Sequence, residues 1–239
     1  DVPIIPGETL LFLDEIQQAP EILARLRYFY EKKPDLHVIA AGSLLDIVLA
    51  DHTFSMPVGR IQYMHMGPLD FMEFLRAIGA TALHGFIQTW TPDRPIPRTI
   101  HETLMEQVRL FMSVGGMPSV VRSYVESGSL RPCDRELGAI AQTFREDFAK
   151  YGSRVDVDLL RRLLDTTSAF VGRKVKYSEI DRTRPAELVR TSLVQLERAQ
   201  LLYRVFHSSG NGIPLRAEQK ERSYKLLHLD SGLMMHAMG

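Results

Sequence analysis

Four bulky apolar residues, Leu10-Leu11-Phe12-Leu13, run without a break into two acids, Asp14 and Glu15. A short unbroken apolar run of this kind reads as a strand buried on both faces, as in a parallel α/β sheet. Ligands of open α/β sheets lie just beyond the carboxyl ends of the strands, so an acidic pair at that edge is placed for metal and water chemistry. A buried strand followed by a solvated acidic turn would give the same run of residues.

The next segment narrows the choice. Ala19-Pro20 leads into Glu21–Tyr30, which has helical periodicity, a proline in its first turn and an acid at its start. A second apolar strand, Leu36–Ala41, follows and ends at Gly42-Ser43. Strand, helix and strand with short connections predict a βαβ crossover, which brings both strand ends to one sheet edge. The first strand then has the pattern of a Walker B strand. Asp14 would hold Mg²⁺, and Glu15 would orient or deprotonate an attacking water. Ser43 would bring a hydroxyl close to both, in the position of a sensor for the γ-phosphate or the water. A turn or a helix N-cap would also use Gly-Ser here.

A wider set of motifs occurs in order: Asp14-Glu15-Ile16-Gln17, Ala41-Gly42-Ser43-Leu44-Leu45, Pro57-Val58-Gly59-Arg60, Pro68–Leu75, Gly115-Gly116-Met117-Pro118 and Asp147–Tyr151. Lys174–Ser178 and Tyr224–Leu233 continue the series. The ordered set resembles the prokaryotic AAA-superfamily predicted ATPases that carry a C-terminal domain of unknown function. The resemblance covers essentially the whole chain. It implies a P-loop NTPase core that binds ATP with Mg²⁺, and a region resembling PD-(D/E)XK nucleases beyond Asp230.

One family element is missing. The loop G-x-x-x-x-G-K-[ST], whose amides and lysine cradle phosphates, occurs nowhere in the sequence. In the family this loop lies upstream of the acidic strand, and the chain opens on Asp1. The expectation is an N-terminally truncated piece of a longer ATPase, inactive without the loop, with the C-terminus cut as well. The alternative is a degenerate core serving as a scaffold.

Bulk composition narrows the function classes. Lys and Arg number 29 and Asp and Glu number 29, so no global field draws the chain to nucleic acid or membrane. Cys133 is the single cysteine, which excludes an internal disulfide and a cysteine-rich metal site and suits a cytoplasmic protein. No run is long enough for a membrane span.

The expected class is therefore α/β plus mainly α, in three parts. Residues 1–66 read as a partial AAA-type core with a third strand over Ile61–Met66. Residues 67–154 read as a helical, lid-like region. Its helices are expected from Pro68 and over Ala80–Trp90, Thr99–Met112, Pro118–Glu126 and Asp134–Tyr151, with a proline-rich break at Pro92, Pro95 and Pro97. Residues 155–239 read as a truncated winged helix. Its helices are expected over Asp158–Val171, Tyr177–Ile180 and Pro185–Gln200, and its wing pairs Leu201–Phe206 with Tyr224–Leu229 across Ser208–Gly212.

Arg60 follows a glycine turn where AAA proteins often carry an arginine aimed at their own or a neighbour's γ-phosphate, the latter in an oligomer. A surface arginine is the plainer reading. Gly115-Gly116 reads as a tight helix–helix connection, with a nucleotide contact as the other option. His37, His65 and His84 lack metal-ligand spacing and read as structural. Arg182, Arg184, Arg190 and Arg198 suit DNA phosphates, with Arg173, Lys174 and Lys176 nearby. Glu187, Glu197, Glu218 and Glu221 equally suit contacts with a protein partner.

Overall fold

A computed structural model describes residues 3–42, 59–151 and 156–239. The chain divides into two compact units, Asp1–Met66 and Gly67–Gly239.

In the first unit, β1 (Leu10–Leu13) pairs in parallel with β2 (His37–Ala40), with Leu10 opposite His37 and Leu13 opposite Ala40. The crossover is α1 (Pro20–Lys32), which carries Pro20 and Glu21 in its first turn and Lys32 in its last. Those charges oppose the partial charges of the helix ends. Leu23 of this helix and Ile16 in the turn before it are buried. The strands are not buried on both faces. Leu10, Phe12 and Ile39 are about half exposed, at 53%, 55% and 49%, while their alternates Leu11, Leu13 and Val38 are partly covered. A single crossover helix covers one face of a two-stranded sheet, so burial follows the period-two pleat. The expected third strand is not formed among the described residues: 61–66 pairs with none of them in a ladder, and Tyr63, Met64 and Met66 are exposed. A strand is defined by its partner, and apolar character alone does not create one.

The second unit opens with α2 (Phe71–Ala77). It starts three residues after Pro68 because Asp70 and Glu73 form a reciprocal capping box, at 2.8 and 2.9 Å. Then follow α3 (Thr81–Thr89), α4 (Arg98–Val114), α5 (Pro118–Ser127) and α6 (Leu130–Asp147), the last extended by a 3₁₀ turn over Phe148–Tyr151. Their core comprises Phe74, Val114, Val120, Val121, Cys133 and Leu137, with Phe71 and Phe74 tilted against Phe111.

Further on, α7 (Val157–Thr166) precedes β3 (Lys174–Val175), α8 (Tyr177–Ile180), α9 (Ala186–Arg198), β4 (Leu202–Ser208) and β5 (Gln219–His228). The strands form an antiparallel sheet in the order β3-β5-β4. The hairpin is longer than the alternation implied, because a register shift after Phe206 lets β5 begin at Gln219. Leu229-Asp230 is not strand: β5 ends at His228, and Asp230 caps α10 (Ser231–Met238).

Candidate functional site

The two parallel strands are stitched together where they end. Ala41 N–H donates to Leu13 C=O at 2.9 Å, and Ile16 N–H donates to Ala41 C=O at 3.0 Å. Between these bonds lie Asp14 and Glu15, both exposed at the carboxyl edge of the sheet. Asp14 Oδ1 accepts the Glu15 N–H at 3.0 Å, and its second oxygen has no partner among the described residues. Glu15 adopts φ 50°, ψ 42°, the left-handed region that non-glycine residues rarely enter. This turns the chain sharply from β1 into the 3₁₀ turn Ile16–Gln18. The Gln17 amide donates from Nε2 to Glu15 Oε2. Gln17 Oε1 is buried without a partner among the described residues, and it lies where a Cβ on Gly42 would be. Gly42 is therefore the residue that lets Gln17 fold across the end of β2 and hold the Glu15 carboxylate.

Of the expected site residues, Asp14 and Glu15 are brought together at one sheet edge. Ser43 lies outside the described residues. Arg60 is placed elsewhere: its Nε meets Glu31 Oε1 at 3.1 Å, and Arg27 meets the same oxygen at 2.8 Å. Arg27 and then Arg60 hold the Glu31 carboxyl below its ordinary range. Glu31 sits next to the last residue of α1, whose first residue follows the acidic turn. Glu31 lies eleven helical steps beyond Pro20, roughly 17 Å along the axis. In a βαβ unit that distance carries Glu31 toward the opposite edge of the sheet.

An octahedral Mg²⁺ is typically held by one or two carboxylates together with waters and substrate phosphates. An exposed Asp14 with one open oxygen fits that requirement. Among the described residues no cluster of three or more His, Cys, Asp or Glu assembles, so a metal held by protein ligands alone has no site there.

The basic residues of the second unit are partly neutralised. Arg190 is bidentate to Glu187, with its closest contact at 2.6 Å, and Arg184 meets Asp156 at 3.4 Å. Arg204 points inward and donates to Glu197 at 2.5 Å and to the Tyr177 hydroxyl at 2.8 Å.

Gly115-Gly116 is a structural junction. Gly115 has φ 75°, ψ −169°, and a Cβ there would overlap Asp230 Oδ1. Gly116 donates its N–H to Asp230 Oδ2 at 2.6 Å and accepts the Leu69 N–H at 2.8 Å. Asp230 Oδ1 also accepts Leu233 N–H at 2.9 Å. Gln17, Glu31 and this use of Asp230 were missed by sequence reasoning. The paired glycines were the one signal for the junction, and nothing in the sequence signalled the other two.

Two family models match the chain. Residues 2–75 match an AAA domain, which supports an AAA-type, nucleotide-binding, ATPase-like character for that stretch. Residues 105–239, more than half of the chain, match a domain of unknown function (DUF8612). The pairing of an AAA domain with a domain of unknown function is the one the ordered motifs implied. No curated protein and no solved structure matches the chain significantly. Among the described residues no helix is long and apolar enough to cross a membrane.

Proposed function

We propose a function on the premise that this chain belongs to the DUF8612 family and carries an AAA-type domain ahead of that region. The AAA-type domain binds ATP with Mg²⁺ and hydrolyses it, and hydrolysis is coupled to a C-terminal winged-helix module. Asp14 is the metal carboxylate and Glu15 the base that orients or deprotonates water. Ser43 is the sensor hydroxyl. Gln17 positions Glu15. Arg60, held by Glu31 away from this edge, is kept only as an arginine for the γ-phosphate of a neighbouring copy.

The observation that carries this reading is the acidic pair at the stitched carboxyl edge of β1 and β2, with Glu15 in a left-handed turn. Strained backbone is tolerated where the surroundings over-determine it, and such places cluster at working sites. The order helix, strand, two helices and hairpin, with β3 pairing to β5, supports the winged-helix assignment. The internal pairing of Arg190 and Arg184 favours a protein partner over DNA for that module.

A second reading, a non-enzymatic adaptor, is favoured by the internally paired arginines of the C-terminal part. Glu15→Gln separates the two. It should bind a fluorescent ATP analogue as the parent does and lose about 10²–10⁴-fold in turnover, the usual contribution of a general base. Undiminished hydrolysis removes Glu15 from the mechanism, and no nucleotide binding by the parent favours the adaptor.

A further inference from the structure

The outer face of the β3-β5-β4 sheet inverts the usual pattern. Antiparallel sheets with one solvated face place apolar residues inward and polar ones outward. In β4 the inward residues are Leu202, Arg204 and Phe206, while Tyr203 and Val205 point outward at 41% and 49% exposure. Leu227, directly across from Tyr203, is 45% exposed. The register is not free to slip and hide them. Arg204 is fixed inside by Glu197 and Tyr177, and Leu202 and Leu226 are fully buried. A shift of one residue would exchange the two faces and break all of these contacts.

Beside this apolar strip the face turns basic. Val205 lies opposite Lys225, and Lys225 lies opposite Lys174 across β3 and β5. Both lysines are exposed, and neither has an ion-pair partner among the described residues. Like charges set directly across a sheet are unfavourable. A row of two such lysines beside three exposed apolar side chains is therefore complementary to a surface that is both anionic and aliphatic. Strand addition along the free edge of β4 is disfavoured, because the Arg204 N–H is already taken by Glu197 Oε1 at 2.8 Å.

We propose that this outer face docks an acidic, aliphatic segment of a partner protein, whose apolar side chains cover Tyr203, Val205 and Leu227 and whose carboxylates meet Lys174 and Lys225. The docking does not depend on the nucleotide reading, and Glu15→Gln leaves it unchanged. Three apolar side chains clustered on one side of a sheet favour a protein segment over a nucleic acid.

The test is selection of displayed random peptides on the whole 239-residue chain. A selected peptide is then made with a fluorescent label and titrated by anisotropy. The enriched sequences should intersperse Leu, Ile or Val with Asp or Glu. Binding should weaken by about tenfold or more in Lys225→Glu and in the double variant Tyr203→Ser, Leu227→Ser, and should survive in Lys225→Arg. Because all three positions are exposed, unfolding midpoints should stay within about 4 °C of the parent value, the loss of one cross-strand pair, which separates lost docking from lost fold. Enrichment of peptides without acids, no enrichment, or binding that ignores the substitutions overturns the proposal. So does single- or double-stranded DNA binding abolished by the same substitutions, which would reassign the face to nucleic acid.

Discussion

At Gly115 the backbone sits at φ 75°, ψ −169°, a combination essentially restricted to glycine. Two independent constraints therefore meet there, the conformation itself and the Asp230 carboxylate lying where a Cβ would be. Gly115→Ala should destabilise the second unit by about 3 kcal/mol or more, from strain and overlap together. Asp230→Asn keeps the shape but turns an amide NH₂ toward the Gly116 N–H. Replacing an accepted hydrogen bond by two opposed donors should cost about 1–3 kcal/mol. Urea denaturation of both variants checks these values, and a parent-like midpoint for either would show that the junction is not a constraint. Burial raises the Asp230 carboxyl above its ordinary value, against the pull of the amides of Gly116, Leu233 and Gly232. The folded chain thus takes up that proton before the unfolded chain does. Its contribution is complete below the ordinary carboxylate value and is lost as pH rises through the raised value.

Among the elements, β5 carries a titration of the opposite sign. His228 Nε2 lies 3.3 Å from Thr167 Oγ1, and that hydroxyl already gives its single proton to Leu163 C=O at 2.6 Å. The imidazole must therefore donate from Nε2, which fixes the tautomer of its neutral form. Burial lowers its pKa below the ordinary 6.5. Below that value the unfolded chain binds a proton that the folded chain refuses, so stability is full above pH 6.5 and falls as pH drops through the lowered value. The unfolding midpoint should decline from pH 7.5 to about 5.5, and His228→Gln, which can still donate to Thr167, should flatten that decline. An equal slope in the variant would assign the decline to other groups. Elements of this size were legible in the sequence where their cause was local. The periodicity of α4, α5 and α9 and the turn chemistry around α8 placed them within a few residues of their observed ends. Ile61–Met66 was misread because a strand needs a neighbour, and no periodicity shows whether one is present. The contact of Arg60 with Glu31 was hidden for a related reason, since charge composition does not specify which pairs meet.

For the whole molecule, the expected boundary after residue 154 can be set against how Gly67–Gly239 is packed. That span is one compact unit, and α10, at its end, packs on α4, α6 and α7. Asp230 joins the start of α10 to Gly116 across 114 positions, and Leu233 packs on the core of Phe74, Val114 and Val120. The motifs around Leu69, Gly115-Gly116 and Asp230-Ser231-Gly232 therefore meet at one point, although each is uninformative in isolation. The helical and sheet portions should accordingly unfold together. Truncation after Leu229 removes the acceptor for the buried Gly116 N–H, at about 1–3 kcal/mol, and strips an apolar side chain from the core at about 2–5 kcal/mol. The sum is on the order of 5 kcal/mol, comparable with the net stability of a domain. Hydrogen exchange on the truncated chain should lose protection in α4 and α5 and in β4 and β5 alike. Protection retained in either group while the other exchanges would show two independently stable domains, and the boundary near residue 154 would then stand.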